Sequence, residues 1–275
     1  MKRFLPFLPQ DPMVSVVRLS GMIAAGGRFG PSLSDATLEP VIERAFSRGK
    51  PKAVALLINS PGGSPVQSSL IAGRIRRLAD EKSIPVHAFV EDVAASGGYW
   101  LAVAADHIWV DDTSIVGSIG VISAGFGLHD FIGRYGVERR VHTAGDSKSF
   151  LDPFRPEKPE DVERLRRVLD QVHAAFKDHI RARRGAKLPD DRDLFTGDFW
   201  AGREAVDLGL ADGVAHLVPK MKELYGDKVR LVPHGIRRPL FQRLGGQFAG
   251  QFGEGMANAL LHGAEERALR ARYGL

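Results

Sequence analysis

The sequence predicts an α/β fold in which helices cross between the strands of a sheet. Three observations carry that expectation. A strand-like run, a glycine turn and a helical pattern follow one another twice, around 59–64 and again around 91–100. The run Ala53 to Ile58 is apolar almost throughout, as expected of a strand covered on both faces. The 275 residues, 44% hydrophobic and 26% charged, supply one large core with an appendage rather than two full domains.

Taken in order, residues 1–12 form an N-terminal arm. Met1-Lys2-Arg3 and Phe4-Leu5-Pro6-Phe7-Leu8-Pro9 begin like a signal peptide, but proline interrupts the apolar run and Gln10-Asp11 ends it. The arm is too short to span a bilayer, although two basic residues before an apolar patch fit a peripheral contact with a membrane surface. Residues 13–232 carry the main domain. Met13 to Leu19 is β-rich, Leu33 to Phe46 has helical spacing, and Ala53 to Ile58 is the buried strand. Asn59-Ser60-Pro61-Gly62-Gly63-Ser64 breaks that strand and opens a helix through Leu70, Ile75 and Leu78.

A strand from Val86 to Val90 then runs through Glu91-Asp92-Val93-Ala94-Ala95 into Ser96-Gly97-Gly98 and a helix through Leu101 to Ala105. Ile108 to Val110 and Val116 to Ile122 are short strand candidates. From Pro159, the residues Val162, Leu165, Leu169, Val172, Phe176 and Ile180 make an apolar helical stripe for a core or a subunit interface, with Arg166, Arg167, Arg181, Arg183 and Arg184 solvated. Residues 233–275 change to Gly, Gln, Arg and Ala and are read as a C-terminal tail, with Leu260, Leu261 and Leu269 available to an amphipathic helix.

Composition excludes several chemistries. Cysteine is absent, so there is no disulfide framework, thiolate ligand or cysteine nucleophile. The net charge of +5 is spread along the chain without a nucleic-acid-binding signature, so no nucleic-acid partner is expected. No His-Glu-x-x-His or similar spacing appears, which argues against a metal hydrolase. His87, His107, His173 and His179 fall in strand and helix patterns and are read as structural.

The two glycine turns concentrate the chemistry. Ser96, followed by Gly97-Gly98, can stand on a tight strand-to-helix turn with its hydroxyl exposed and the next N–H directed at a developing oxyanion. Gly62-Gly63 can bring a second backbone N–H to the same point, because glycine permits close approach. A serine hydroxyl needs a base, no histidine lies in a motif beside it, and a lysine can take the role where burial disfavours its ammonium form.

The combination of Asn59-Ser60-Pro61-Gly62-Gly63, Ala95-Ser96-Gly97-Gly98-Tyr99 and Gly117-Ser118-Ile119-Gly120-Val121 resembles the signal peptide peptidase A family, peptidase family S49, in its short single-repeat form. The resemblance covers roughly Val14 to Val214. It implies a Clp protease/crotonase-like fold of repeated strand-turn-helix (ββα) units with a C-terminal helical tail. It also implies Ser96 as nucleophile and, in the family's downstream lysine segment, Lys148 as general base, 52 residues further on. Ser118 matches a serine that orients the lysine, and Gly63 and Gly97 supply the oxyanion hole.

The segment Phe199 to Ala205 resembles a structural helix and turn of the family, with Ala201 where threonine is common. No cofactor is expected. The partners implied are peptide or unfolded protein substrates and other copies of the chain in a homo-oligomeric ring. The expected location is cytoplasmic or peripheral on the membrane, without a transmembrane helix. A catalytically silent assembly protein and a crotonase-type acyl-CoA enzyme are the alternatives.

Overall fold

A computed structural model describes residues 11–25, 32–145, 148–235, 267–268 and 270–274. The expectations for the first ten residues and for a helix through Leu260, Leu261 and Leu269 lie outside the described residues.

The first elements are β1 (Met13–Ser20), α1 (Asp35–Ser47), β2 (Ala53–Ser60), α2 (Pro65–Lys82), β3 (Val86–Ala95) and α3 (Gly97–Val103). Ser34 starts α1 with a reciprocal capping box to Thr37, and Pro65 sits in the first turn of α2 behind the Ser64 cap. Then follow β4 (His107–Val110), β5 (Ile115–Gly117), α4 (His129–Arg134), α5 (Pro159–Arg184), β6 (Phe199–Ala201), α6 (Gly202–Asp207), β7 (Gly213–Val214), α7 (Leu217–Tyr225) and β8 (Arg230–His234).

The strands form one sheet in the order β6-β5-β3-β2-β1-β8, with β4 and β7 off this path. Every pairing is parallel except β5 with β6. β2 therefore lies between β1 and β3, which is why its run is apolar on both faces. One face packs with α1, α2, α3 and α5 around Leu56, Ile58, Ile71, Ile75 and Leu101, and the other packs Val14, Ala55 and Phe89 against Met221 of α7.

Several expectations need correction. β3 does not stop at Val90: the β2 to β3 register shifts between Ile58 and Ser60, and the strand resumes through Ala95. That irregularity lets β3 pair with β4 along its first half and with β5 along its second. β5 ends at Gly117 rather than Ile122, because Gly117 and Ser118 both have positive φ, a conformation that cannot continue a strand. Of the α5 stripe only Phe176 and Ile180 are buried, while Arg184, expected in solvent, is buried on Asp212 and the Gly209 carbonyl. β8 crosses the expected boundary at 232/233, with His234 Nε2 3.1 Å from Ser15 Oγ.

Candidate active site

Between the end of β3 and the start of α3 the chain turns on Ser96 alone, with φ 51° and ψ −120°. For a residue with a side chain this backbone costs on the order of 1–3 kcal/mol and persists only where its surroundings impose it. They do so here: Ser96 N–H donates to the Gly117 carbonyl at 2.8 Å, and Trp100 N–H donates to the Ser96 carbonyl at 3.0 Å. Every residue of α3 is buried. The Ser96 side chain makes no capping hydrogen bond, so its hydroxyl is not consumed by the helix it precedes.

The second glycine turn lies directly against the first. A β-carbon on Gly62 would stand 2.8 Å from Gly97 N, and one on Gly97 would stand 3.3 Å from Gly63 N. Ile23 clamps this turn from the other side, donating to Gly62 O at 2.8 Å and accepting from Ser64 N at 2.7 Å. Gly63 has φ +140°, and a β-carbon there would meet Ile23 O at 2.0 Å. Only glycine fits that approach.

Ser96, Gly63, Gly97 and Ser118 line one cavity of about 630 Å³. Its walls include Trp100, Val172 and Phe176, with the Trp100 ring stacked on Phe176 at 4.7 Å and on His179 at 5.1 Å. Burial lowers the His179 pKa, against a hydrogen bond to the Trp100 carbonyl that favours the charged ring. Ser118 is fixed by φ 50° and by donation from its N–H to Asp198 O at 2.6 Å.

His173 also lines this cavity, 3.1 Å from the Ile119 carbonyl through Nε2. That carbonyl can only accept, so the proton sits on Nε2. Helical spacing alone marks His173 as structural; its place in the cavity follows from the packing of α5 on α3, which no local pattern records.

Lys148 is not among the residues that line this cavity. It is exposed on the stretch between β5 and α5, where its N–H donates to Gly145 O at 3.2 Å. From Ile122 to Glu160 none of the described residues is buried, and α4 buries none of its side chains. Large apolar groups stand in solvent there, with Phe126 85% and Tyr135 73% exposed.

The end of the chain reaches the same cavity. Residues 270–274 close a turn, with Tyr273 N–H donating to Arg270 O at 2.8 Å. Tyr273 donates its hydroxyl to Ser118 Oγ at 3.1 Å and sets its ring edge-on to Phe199 at 5.1 Å. Arg270 donates to Asn59 Oδ1 at 3.2 Å and to the Asn59 carbonyl at 3.4 Å. Among the described residues, no group of three or more histidines and carboxylates is gathered to hold a metal.

A strained serine between a strand and a helix, with two glycine turns in contact beside it, fits the pattern of a covalent hydrolase. The sequence model described as Peptidase family S49 matches residues 79–226, more than half of the chain and the stretch from the end of α2 through α7. The chain belongs to peptidase family S49.

Among its relatives, the chloroplastic serine protease SPPA of Arabidopsis thaliana is 32% identical over 74% of this chain and 31% of its own length. A putative protease of Synechocystis is 28% identical over 85% of this chain and 83% of its own. A Brucella melitensis protein named Na(+)/H(+) antiporter NhaA is 47% identical over the whole of this chain, which spans 39% of that protein. Among the described residues here, no helix is long and apolar enough to cross a membrane.

Proposed function

We propose that this S49 chain is a serine endopeptidase working through a Ser96–Lys148 dyad, with a Clp protease/crotonase-like fold. The observation that carries the reading is Ser96 itself, held at positive φ in the lining of the cavity with the Gly62-Gly63 turn packed on Gly97.

In this mechanism Lys148 Nζ takes the Ser96 hydroxyl proton as Oγ bonds to the substrate carbonyl carbon, and the carbonyl π pair moves onto oxygen. The N–H groups of Gly63 and Gly97 receive that oxyanion. Collapse breaks the C–N bond, and the proton passes from Lys148 to the leaving amine. Water then attacks the acyl-enzyme by the same relay and frees Ser96. Ser118 orients the lysine, and no cofactor enters. Peptides such as signal-peptide remnants or segments of unfolded polypeptide suit a cavity walled by Trp100, Val172 and Phe176.

The exposed arm supports a homo-oligomer as the working form. Ile122, Phe126, Phe131, Tyr135 and Val137 are too apolar for a permanently solvated surface, and they lie on the same stretch as Lys148. Packing of this arm on a neighbouring copy covers those side chains and can carry the Lys148 amine toward a cavity whose lining residues do not include it. The same exposure of Lys148 is what favours the second reading, a ring-forming protein without catalysis.

Mass spectrometry of the intact chain after a fluorophosphonate decides between them. Wild type is expected to gain one adduct, and Ser96→Ala and Lys148→Ala none. Mixing the two variants restores part of the peptide hydrolysis if the base comes from a neighbour. No adduct on any of three folded proteins supports the silent assembly instead.

A further inference from the structure

We propose that a second cavity, on the α7 face of the sheet, is the docking site for this chain's own basic and apolar segment, residues 2–8. The proposal is independent of the peptidase reading, since this cavity shares no lining residue with the one around Ser96.

The cavity has a volume of about 590 Å³ and lies where the ends of β2, β3 and β4 meet the start of α7. Its apolar wall is Leu57, Phe89, Leu217, Val218 and Pro219. Phe89 is buried, but Val218 is 50% exposed and the nearby Val214 39%, so the apolar surface runs out of the cavity into solvent. Such a surface marks a place that another group covers.

Charge selects the occupant. Glu91, Asp92 and Asp111 line the cavity, and no lysine or arginine is among its lining residues. The Asp111 carboxyl is held at a pKa of about 2, first by hydrogen bonds from the Thr113 hydroxyl and N–H and then by His216. Arg18 reaches Glu91 from β1, and Asn59 Nδ2 donates to Asp92 Oδ2, so these carboxylates are fixed in place beside the apolar wall. A complementary occupant carries cations directly next to large apolar side chains.

In this sequence Lys2-Arg3 is followed at once by Phe4, Leu5, Phe7 and Leu8. Pro6 and Pro9 bias the residues before them away from helix, which suits an extended run along a groove. The reach is sufficient. Arg18 lies opposite Leu57 in the β1 to β2 register, level with the cavity and five residues beyond Met13. That is about 17 Å along the strand and about 10 Å across to β3. The eight residues from Asp11 back to Arg3 span up to about 26 Å when extended.

The chain has no cysteine, so a disulfide between two introduced ones reads the contact directly. In the full-length chain, Leu5→Cys is paired with Val218→Cys in one protein and with Val66→Cys in a control. Val66 is 64% exposed on α2, which packs on the opposite face of the sheet. Under mild oxidation the Val218 pair should close an intramolecular disulfide at least about tenfold faster than the control, through the effective concentration that docking confers. Equal rates overturn the proposal. Disulfide-linked dimers place the segment on a second copy and overturn it as well. Equal rates in a chain that sediments with anionic vesicles assign the segment to a membrane surface instead.

A second measurement leaves the cavity and the apolar residues untouched. Lys2→Glu combined with Arg3→Glu should raise hydrogen exchange in 214–219 by at least about threefold, with exchange elsewhere unchanged. Exchange superimposable on that of the wild type overturns the docking.

Discussion

The Ser96 turn and the arm from Ile122 to Glu160 differ in how their geometry is fixed. At the turn, a strained backbone is held by hydrogen bonds from two elements, by an entirely buried α3 and by a second turn in contact with it. Along the arm none of the described residues is buried, those of α4 included. Strain at a functional residue requires surroundings that over-determine it, which the turn has. The arm takes nothing comparable from its own chain, so the conformation in which it works is set by what it packs against. The proposed nucleophile lies in the first region and the proposed base in the second.

Lys148→Ala puts the largest strain on this contrast. Hydrolysis should fall by about a thousandfold or more, while the urea midpoint stays where it is, because the residue is exposed. A clear drop in that midpoint would mean that the arm is part of the folded core.

Gly63→Ala tests the other side. A β-carbon 2.0 Å from Ile23 O at φ +140° has no room to relax. Loss of about 3 kcal/mol or more in urea unfolding is expected, whether or not activity is measured.

Acid should act on the core before the arm. Burial, then the adjacent His107, lowers the His87 pKa to about 4 from an ordinary 6.5, with Lys220 adding to the shift and Asp106 opposing it. Trp109 Nε1–H donates to His87 Nδ1 at 3.4 Å and the Tyr225 hydroxyl lies 3.2 Å from Nε2, a pairing that suits a neutral ring with Nδ1 as acceptor. Since the folded pKa is the lower one, the unfolded chain binds the extra proton between pH 6.5 and 4. Stability is therefore full above about 6.5 and declines as pH falls through that window, by about 2 kcal/mol in all. Urea midpoints across the window should show that slope, and His87→Gln should flatten it.

The smallest effect on folding is expected from Phe126→Ser and Phe131→Ser. Each should leave the unfolding free energy of the chain within about 0.5 kcal/mol. Sedimentation velocity should nevertheless shift toward the monomer, since these side chains are exposed within one copy. Unchanged sedimentation would sink the arm as an interface.

Much of the architecture is legible in local pattern. The apolar run at Ala53 to Ile58 marks a central strand, helical spacing marks α1 and α2, and Ser96 stands out because glycines follow it at a strand end. Such signals depend on neighbours a few residues away, which is the range over which backbone preference and side-chain period act. The boundaries that failed were set from further off. The end of β5 depends on positive φ at Gly117 and Ser118 beside Asp198, and the burial of Arg184 depends on Asp212.

By itself, then, the sequence determined the α/β class, the two glycine turns and the serine between strand and helix. Tertiary structure alone decided that those turns touch, that His173 lines the cavity, that Lys148 is exposed, and that Tyr273 meets Ser118 across 155 residues of chain. The reason is physical: a side chain's period reports which face it takes, but where two faces meet depends on the path of the whole chain and on the packing that closes it.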